Sequence, residues 1–239
     1  MTPRDFPPGT TNGFANPDLS PDGARLIFRL ITTGRPGGLW ISAVAGGAPV
    51  RLVKGSKARE AGGSWSPDGN WYAFSSYEEG RYSLDKVKTT GEAVPVVLKA
   101  DLGSRNGLLF WGPVWSPAND WIAHGDRDGG LRLISPDGET TRDVPASSTL
   151  VATFSADGRT LFGLRQPAPA DPVELFSMSL TGGPTKTIGF LPRDDVPRVS
   201  TGPALRLTLA PDGKRLTYST ARATSGLWLM EGIDSVRVR

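Results

Sequence analysis

The chain has no cysteine and a single histidine, His124, in 239 residues. Disulfides and thiolate metal sites are therefore excluded, while the compartment stays open. One imidazole cannot supply a histidine-based metal centre within one chain. No segment approaches the continuous apolar run that spans a bilayer, so no direct membrane insertion is expected. An excess of one charge is also missing. The balance of 27 basic against 24 acidic residues gives a net charge of +3, too even to imply a nucleic-acid partner. A Gly-x-Ser-x-Gly nucleophile elbow is absent, and Gly62-Gly63-Ser64-Trp65-Ser66 does not supply one. Asp126-Arg127-Asp128-Gly129 faintly resembles a calcium loop but lacks the later carboxylates and the length; a hairpin loop explains it. No catalytic residue, cofactor or metal is expected.

Turn-forming residues are abundant, with 30 Gly and 21 Pro. Many of them belong to one recurring tetrapeptide. Ser-Pro-Asp-Gly stands at Ser20–Gly23 and Ser66–Gly69, is weakened at Ser116-Pro117-Ala118-Asn119, and returns as Ser155-Ala156-Asp157-Gly158 and Ala210-Pro211-Asp212-Gly213. The intervals are 46, 50, 39 and 55 residues. Pro presets φ at the second position of a type I turn, Asp suits the third, and Gly takes the left-handed conformation that closes a three-residue hairpin. The third copy has Asn119 where the others have Gly, and Asn is the next most tolerant residue at positive φ. Asp22, Gly23, Asp68, Gly69, Asn119, Asp157, Gly158, Asp212 and Gly213 are therefore read as structural turn residues.

The flanks repeat as well. A short strand ends at Leu19, Trp65, Trp115, Phe154 or Leu209 before each turn. A second strand follows, such as Trp71-Tyr72-Ala73-Phe74, then a polar or glycine-rich loop and a third strand, such as Leu39 to Val44. A glycine turn leads to a fourth, more polar strand, with 236–238 completing the last unit. Short runs bounded by Gly, Pro and Asp predict an all-β chain. A period of this length predicts a β-propeller of four-stranded antiparallel blades. Ser135-Pro136-Asp137-Gly138 matches the tetrapeptide but lies only 19 residues after Ser116. It falls where other units place the turn between third and fourth strands, leaving five repeats, not six.

The motif Trp65-Ser66-Pro67-Asp68-Gly69 with Ala73-Phe74 resembles the TolB-like (WD40-like) propeller repeats, with the fourth and fifth copies departing at Ala156 and Ala210. The resemblance covers roughly residues 14 to 234. The true WD signature is absent, since no Trp-Asp dipeptide occurs. Gly226 to Gly232 looks like the last blade of propellers at the C-termini of bacterial kinases and winged-helix regulators. The resemblance implies a bacterial binding or sensory module, periplasmic if it belongs to a longer or membrane-anchored protein. Alternatives are a propeller hydrolase or lyase using channel carboxylates, and a C-terminal fragment of a larger kinase, regulator or peptidase.

Residues 1–13 are expected as an arm or linker without the apolar core of a signal peptide, and 14–239 as the propeller, with units beginning near 14, 61, 112, 150 and 204. In such a meander the Ser-Pro-Asp-Gly and glycine turns share one end. The opposite end takes the longer segments 32–38, 54–62, 76–81, 99–111, 166–172 and 192–203. Binding residues concentrate on long loops of a rigid scaffold. Arg59, Arg105 and Arg198 lie in three connections between units. They are the candidate binding residues for a protein segment or small polar ligand carrying an acidic group. His124, on a second strand where other units have Phe74 or Tyr218, is read as a packing residue.

Overall fold

A computed structural model describes residues 13–31, 38–53, 58–91, 93–102, 112–126, 129–168, 170–191, 207–210, 212–213 and 215–218. Every regular element in them is a strand. The first sheet contains β1 (Gly13–Leu19), β2 (Arg25–Ile31), β3 (Gly38–Ala43) and β4 (Val50–Arg51); the second β5 (Arg59–Trp65), β6 (Trp71–Glu78), β7 (Arg81–Lys88) and β8 (Val96–Lys99). The third contains β9 (Val114–Trp115), β10 (Ile122–Gly125), β11 (Leu131–Ile134) and β12 (Thr141–Val144); the fourth β13 (Thr149–Phe154), β14 (Thr160–Arg165), β15 (Glu174–Ser179) and β16 (Lys186–Phe190). These four sheets are antiparallel meanders in chain order. The fifth is described as the pair β17 (Leu207–Leu209) and β18 (Leu216–Tyr218). The expected strands at 227–230 and 236–238 lie outside the described residues.

The sheets are arranged through their first strands: β1 contacts β5, β5 contacts β9, β9 contacts β13, and β13 contacts β17. A first strand at the inside of each sheet is the architecture of a multi-bladed propeller. The described sheets do not close into a ring. Trp65, Trp115 and Phe154 at the ends of β5, β9 and β13 are buried, whereas Leu19 at the end of β1 is 56% exposed. Trp65 packs with Ile27 and Leu39 of the preceding sheet, and Leu19 has no described sheet on that flank. Apolar layers alternate with sheets: Tyr72, Phe74 and Val87 join the first and second, and Ala73, Leu84 and Ile122 the second and third. Burying each large apolar side chain contributes about 1.5–3 kcal/mol.

The turns derive from their own side chains. Gly23, Gly69, Gly158 and Gly213 have φ near +70°, and Asn119 has φ 60°. The Asp Oδ1 of Asp22, Asp68 and Asp157 accepts the amide two residues on at 3.0 Å. The serine is active too. Ser20, Ser66 and Ser155 donate from Oγ to the turn Asp at 2.5–2.6 Å and accept the first amide of the second strand at 2.9 Å. Hydrogen bonding to the ionised form holds Asp22, Asp68 and Asp157 below the usual carboxylate range. Pro, Asp and Gly are the turn-formers that sequence propensity identifies, and Ser adds a bond at each side of the turn that propensity does not show. Residues 135–138 form the same turn between β11 and β12, with Ser135 bonded to Asp137.

The turn end also joins adjacent sheets. Arg25 donates to the Gly69 carbonyl at 2.9 Å, Lys86 to that of Pro136 at 2.6 Å, and Arg142 to that of Leu180 at 2.6 Å. Each cation reaches from one sheet to a turn of the next. One segment expected as a long loop is not one. β6 runs through Glu78 and β7 starts at Arg81, joined by Glu79 (φ 48°) and Gly80 (φ 85°). Two positive φ values give a type I′ hairpin, whose twist matches the strands it joins.

Candidate functional site

A half-open cleft of about 770 Å³ lies at the end of the molecule opposite the Ser-Pro-Asp-Gly turns. One wall is a single face of the second sheet. Cross-strand partners share a face, and the pairs Glu60–Ser76, Ser76–Ser83, Phe74–Asp85, Glu78–Arg81 and Asp85–Val97 all line it. The facing wall includes Val53 and Ala58 from the end of the first sheet and its connection. Glu79 and Asp101 lie at the rim.

Two buried carboxylates stand in this cleft in different states. Glu60 accepts the Leu39 amide at 3.3 Å and lies 3.6 Å from Arg51. Gly38 makes room for that pair, because a Cβ there would sit 2.9 Å from Arg51 Nε and 3.0 Å from Glu60 Oε2. Asp85 is 5% exposed. Its Oδ2 accepts Ser76 Oγ at 2.6 Å and Ser83 Oγ at 3.2 Å, and the two hydroxyls are 2.8 Å apart. Asp85 Oδ1 is buried and has no hydrogen-bond partner among the described residues. Burial pushes the Asp85 carboxyl above its ordinary value, against the smaller lowering effect of the two serines.

No protein-family model matches the chain, and no curated protein matches it. Solved structures do. A structure described as TolB from Agrobacterium tumefaciens has a TM-score of 0.62 at 21% identity, over 75% of this chain and 68% of that one. TolB from Acinetobacter baumannii has a TM-score of 0.59 at 14% identity, over 87% of this chain and 54% of that one. An oligogalacturonate lyase in complex with manganese has a TM-score of 0.59 at 16% identity, over 83% of this chain and 56% of that one. The fold is that of the TolB-like β-propellers. The chain spans about two thirds of the first of these proteins and little more than half of the other two.

With the sheets recognised as TolB-like blades, equivalent positions can be compared. Asp85 stands opposite Phe74; the matching pairs are Phe28–Trp40, His124–Arg132 and Gly163–Phe176 in the other four-stranded blades. The third-strand position is thus Trp, Asp, Arg or Phe. Arg132 is paired, with Asp126 Oδ2 at 2.5 Å and with Asp143. Among the four described third strands, only that of the second blade places an acid there.

Among the residues singled out from sequence, Arg59 begins β5, is exposed and pairs in register with Tyr77. Arg29 on β2 lies within electrostatic reach of Arg59 and Glu60, and its Nε is buried without a hydrogen-bond partner among the described residues. Arg105 and Arg198 lie outside the described residues. Glu60, the next residue along β5, is buried and lies against Arg51. His124 is buried, and its Nδ1 donates to the Gly125 carbonyl at 3.0 Å. Burial lowers its pKa, so the imidazole is held neutral. The turn residues Asp22, Asp68 and Asp157 lie at the other end and bond to their own turns. Asp212 is 3.4 Å from Arg215.

Asp85, Ser76 and Ser83 did not emerge as site residues from the sequence. A signal was present. The alternation Phe74-x-Ser76-x-Glu78 and Arg81-x-Ser83-x-Asp85 places polar residues on the face that Phe74 identifies as inward.

Proposed function

We propose that residues 14–239 form a non-catalytic TolB-like propeller module, preceded by the 1–13 arm, and that its end opposite the Ser-Pro-Asp-Gly turns binds a protein segment or small polar ligand. The observation that carries this reading is the difference between the two ends. At the turn end, Asp22, Asp68 and Asp157 bond to their own backbone, and the cations Arg25, Lys86 and Arg142 bond to adjacent blades. At the opposite end, Asp85 Oδ1 is buried in the cleft wall without a described partner, and so is Arg29 Nε, which lies within electrostatic reach of Arg59 and Glu60. Buried polar groups are ordinarily satisfied, so each exception calls for a cause, and a bound partner or ion is one such cause.

In this reading Arg59 at the start of β5 supplies a basic edge, joined by Arg105 and Arg198 of two later connections in the sequence, and this edge takes an acidic group of the partner by guanidinium forks. Fluorescence anisotropy of a labelled glutamate-rich hexapeptide tests this edge. The native chain binds it with an affinity that falls as salt rises. Reversing Arg59, Arg105 and Arg198 to Glu weakens binding by about tenfold or more, as expected for lost charge-assisted contacts, with melting nearly unchanged. Equal binding by the triple variant overturns the assignment.

A further inference from the structure

We propose that the cleft between the first and second blades binds a protonated primary amine, with Asp85 as its counter-ion. The inference rests on the reading of this end as a binding surface, and to the acidic group assigned to Arg59 it adds a cationic group taken in the cleft.

Asp85 is a buried carboxylate with no described cation bonded to it. An ionised carboxylate held away from water without a cation is costly, and removal of the imbalance comes from a proton or an incoming positive charge. The acid occupies a position that takes Trp40 and Phe176 in the first and fourth blades, so the fold has no need of a charge there. Asp85 is 5% exposed and lines the cleft. No described side chain supplies the missing cation: Arg81, the basic residue of the cleft wall, stands opposite Glu78 at the hairpin. Arg51 lies with Glu60. The other charged groups of the wall and rim, Glu60, Glu78, Glu79 and Asp101, are acidic, which favours a positive ligand.

The bonding pattern selects the kind of cation. Asp85 Oδ2 already accepts both Ser76 and Ser83, leaving one oxygen, Oδ1. A guanidinium fork uses two carboxylate oxygens side by side, whereas an ammonium is a compact charge with three donors that can be shared among separate acceptors. Oδ1 and the serine hydroxyl oxygens are such acceptors. Among the described residues no group of three or more His, Cys, Asp or Glu side chains is arranged to hold a metal ion, so the chemistry here is that of one anionic oxygen rather than a chelate. Phe74, Val53, Ala58 and Val97 line the same cleft and suit the alkyl stem behind an ammonium group.

The ammonium can belong to a lysine side chain of a partner or to a free small amine, and titration of the full chain separates them. The probes are n-butylammonium chloride, N-acetyl-lysine amide and N-acetyl-arginine amide, each at ionic strength matched with potassium chloride. Both amines bind above the potassium chloride control. Asp85→Asn weakens them by about tenfold or more, the loss expected of a charge-assisted bond. Val97→Trp, at an exposed cleft position, blocks them without disturbing the buried face, so the test survives if Asp85→Asn folds poorly. Lysine amide binding about tenfold tighter than butylammonium identifies a peptide-borne amine, and equal binding a free one; either supports the site. The proposal is overturned if Asp85→Asn and Val97→Trp bind like the native chain, if the amines match the salt control, or if arginine amide binds tightest. The Arg59, Arg105 and Arg198 reversals leave amine binding in place, so a failure of the basic edge and a failure of this site are read separately.

Discussion

Two buried carboxylates on third strands, Glu174 in the fourth blade and Asp85 in the second, have opposite surroundings. Glu174 meets Arg165 in two parallel bonds of 2.8 and 2.9 Å and also accepts from Thr187. Arg165 in turn lies over the Phe176 ring at 5.3 Å. In the second blade the positions matching Arg165 and Glu174 are Ser76 and Ser83, and the position matching Phe176 is Asp85. One blade thus encloses an acid with its cation, and the other encloses an acid with two hydroxyls and no cation. The pKa values move accordingly. Arg165 draws Glu174 below its ordinary value, while burial raises Asp85 above its own. An acid whose charge is matched inside the fold contributes to stability; an acid left unmatched is available to something outside it.

The largest expected effect comes from breaking the matched pair. Arg165→Met removes the cation from Glu174 and destabilises the chain by about 2–3 kcal/mol, as loss of one partner of a substantially buried charge pair does. Urea midpoints check the value. The pH dependence follows from the lowered pKa of Glu174: the pair's contribution is present above the unfolded carboxylate value and is lost as pH falls through the folded value. Arg165→Met therefore flattens that part of the acid limb.

The unmatched acid gives the opposite sign. Because the folded pKa of Asp85 is raised, the folded state binds more protons than the unfolded state between the two values. Stability is then lost as pH rises through that window. Asp85→Asn keeps an acceptor for Ser76 and removes the buried charge, so it raises neutral-pH stability by on the order of 1 kcal/mol. The gain disappears once the pH lies below the unfolded carboxylate range, where Asp85 is neutral in both states. Equal midpoints for Asp85→Asn and the native chain from acid to neutral pH would mean that Asp85 is matched after all.

What could be read from sequence divides along the same line. The turns were legible because their cause is local: Ser66, Asp68 and Gly69 bond within one short segment. The same tetrapeptide at Ser135 could be assigned to a third turn from spacing alone, and it joins β11 to β12. The hairpin at Glu79-Gly80 is not legible in the sequence, because Glu at positive φ carries no propensity signal. Asp85 was missed for a deeper reason. Its significance depends on Phe74 across the strand pair, on Ser76 and Ser83 beside it, and on Val53 from the preceding blade. The alternation within the repeat puts Phe74, Ser76, Ser83 and Asp85 on one face, but the strand register that sets Asp85 against Phe74 and the wall from the preceding blade do not follow from spacing. The links from Arg25 to Gly69 and from Arg142 to Leu180 were hidden likewise, since each joins two blades.

If Asp85 is an unmatched charge open to a cation, its own carboxyl reports it on titration. Carboxyl carbon NMR across acid to neutral pH, with and without saturating n-butylammonium chloride at constant ionic strength, follows that group alone. The expected result is a midpoint above the ordinary aspartate value in the free chain and a clear downward shift when the amine is present, because the ligand binds the ionised form. A midpoint at or below the ordinary value in the free chain, or one that the amine leaves in place, would contradict it.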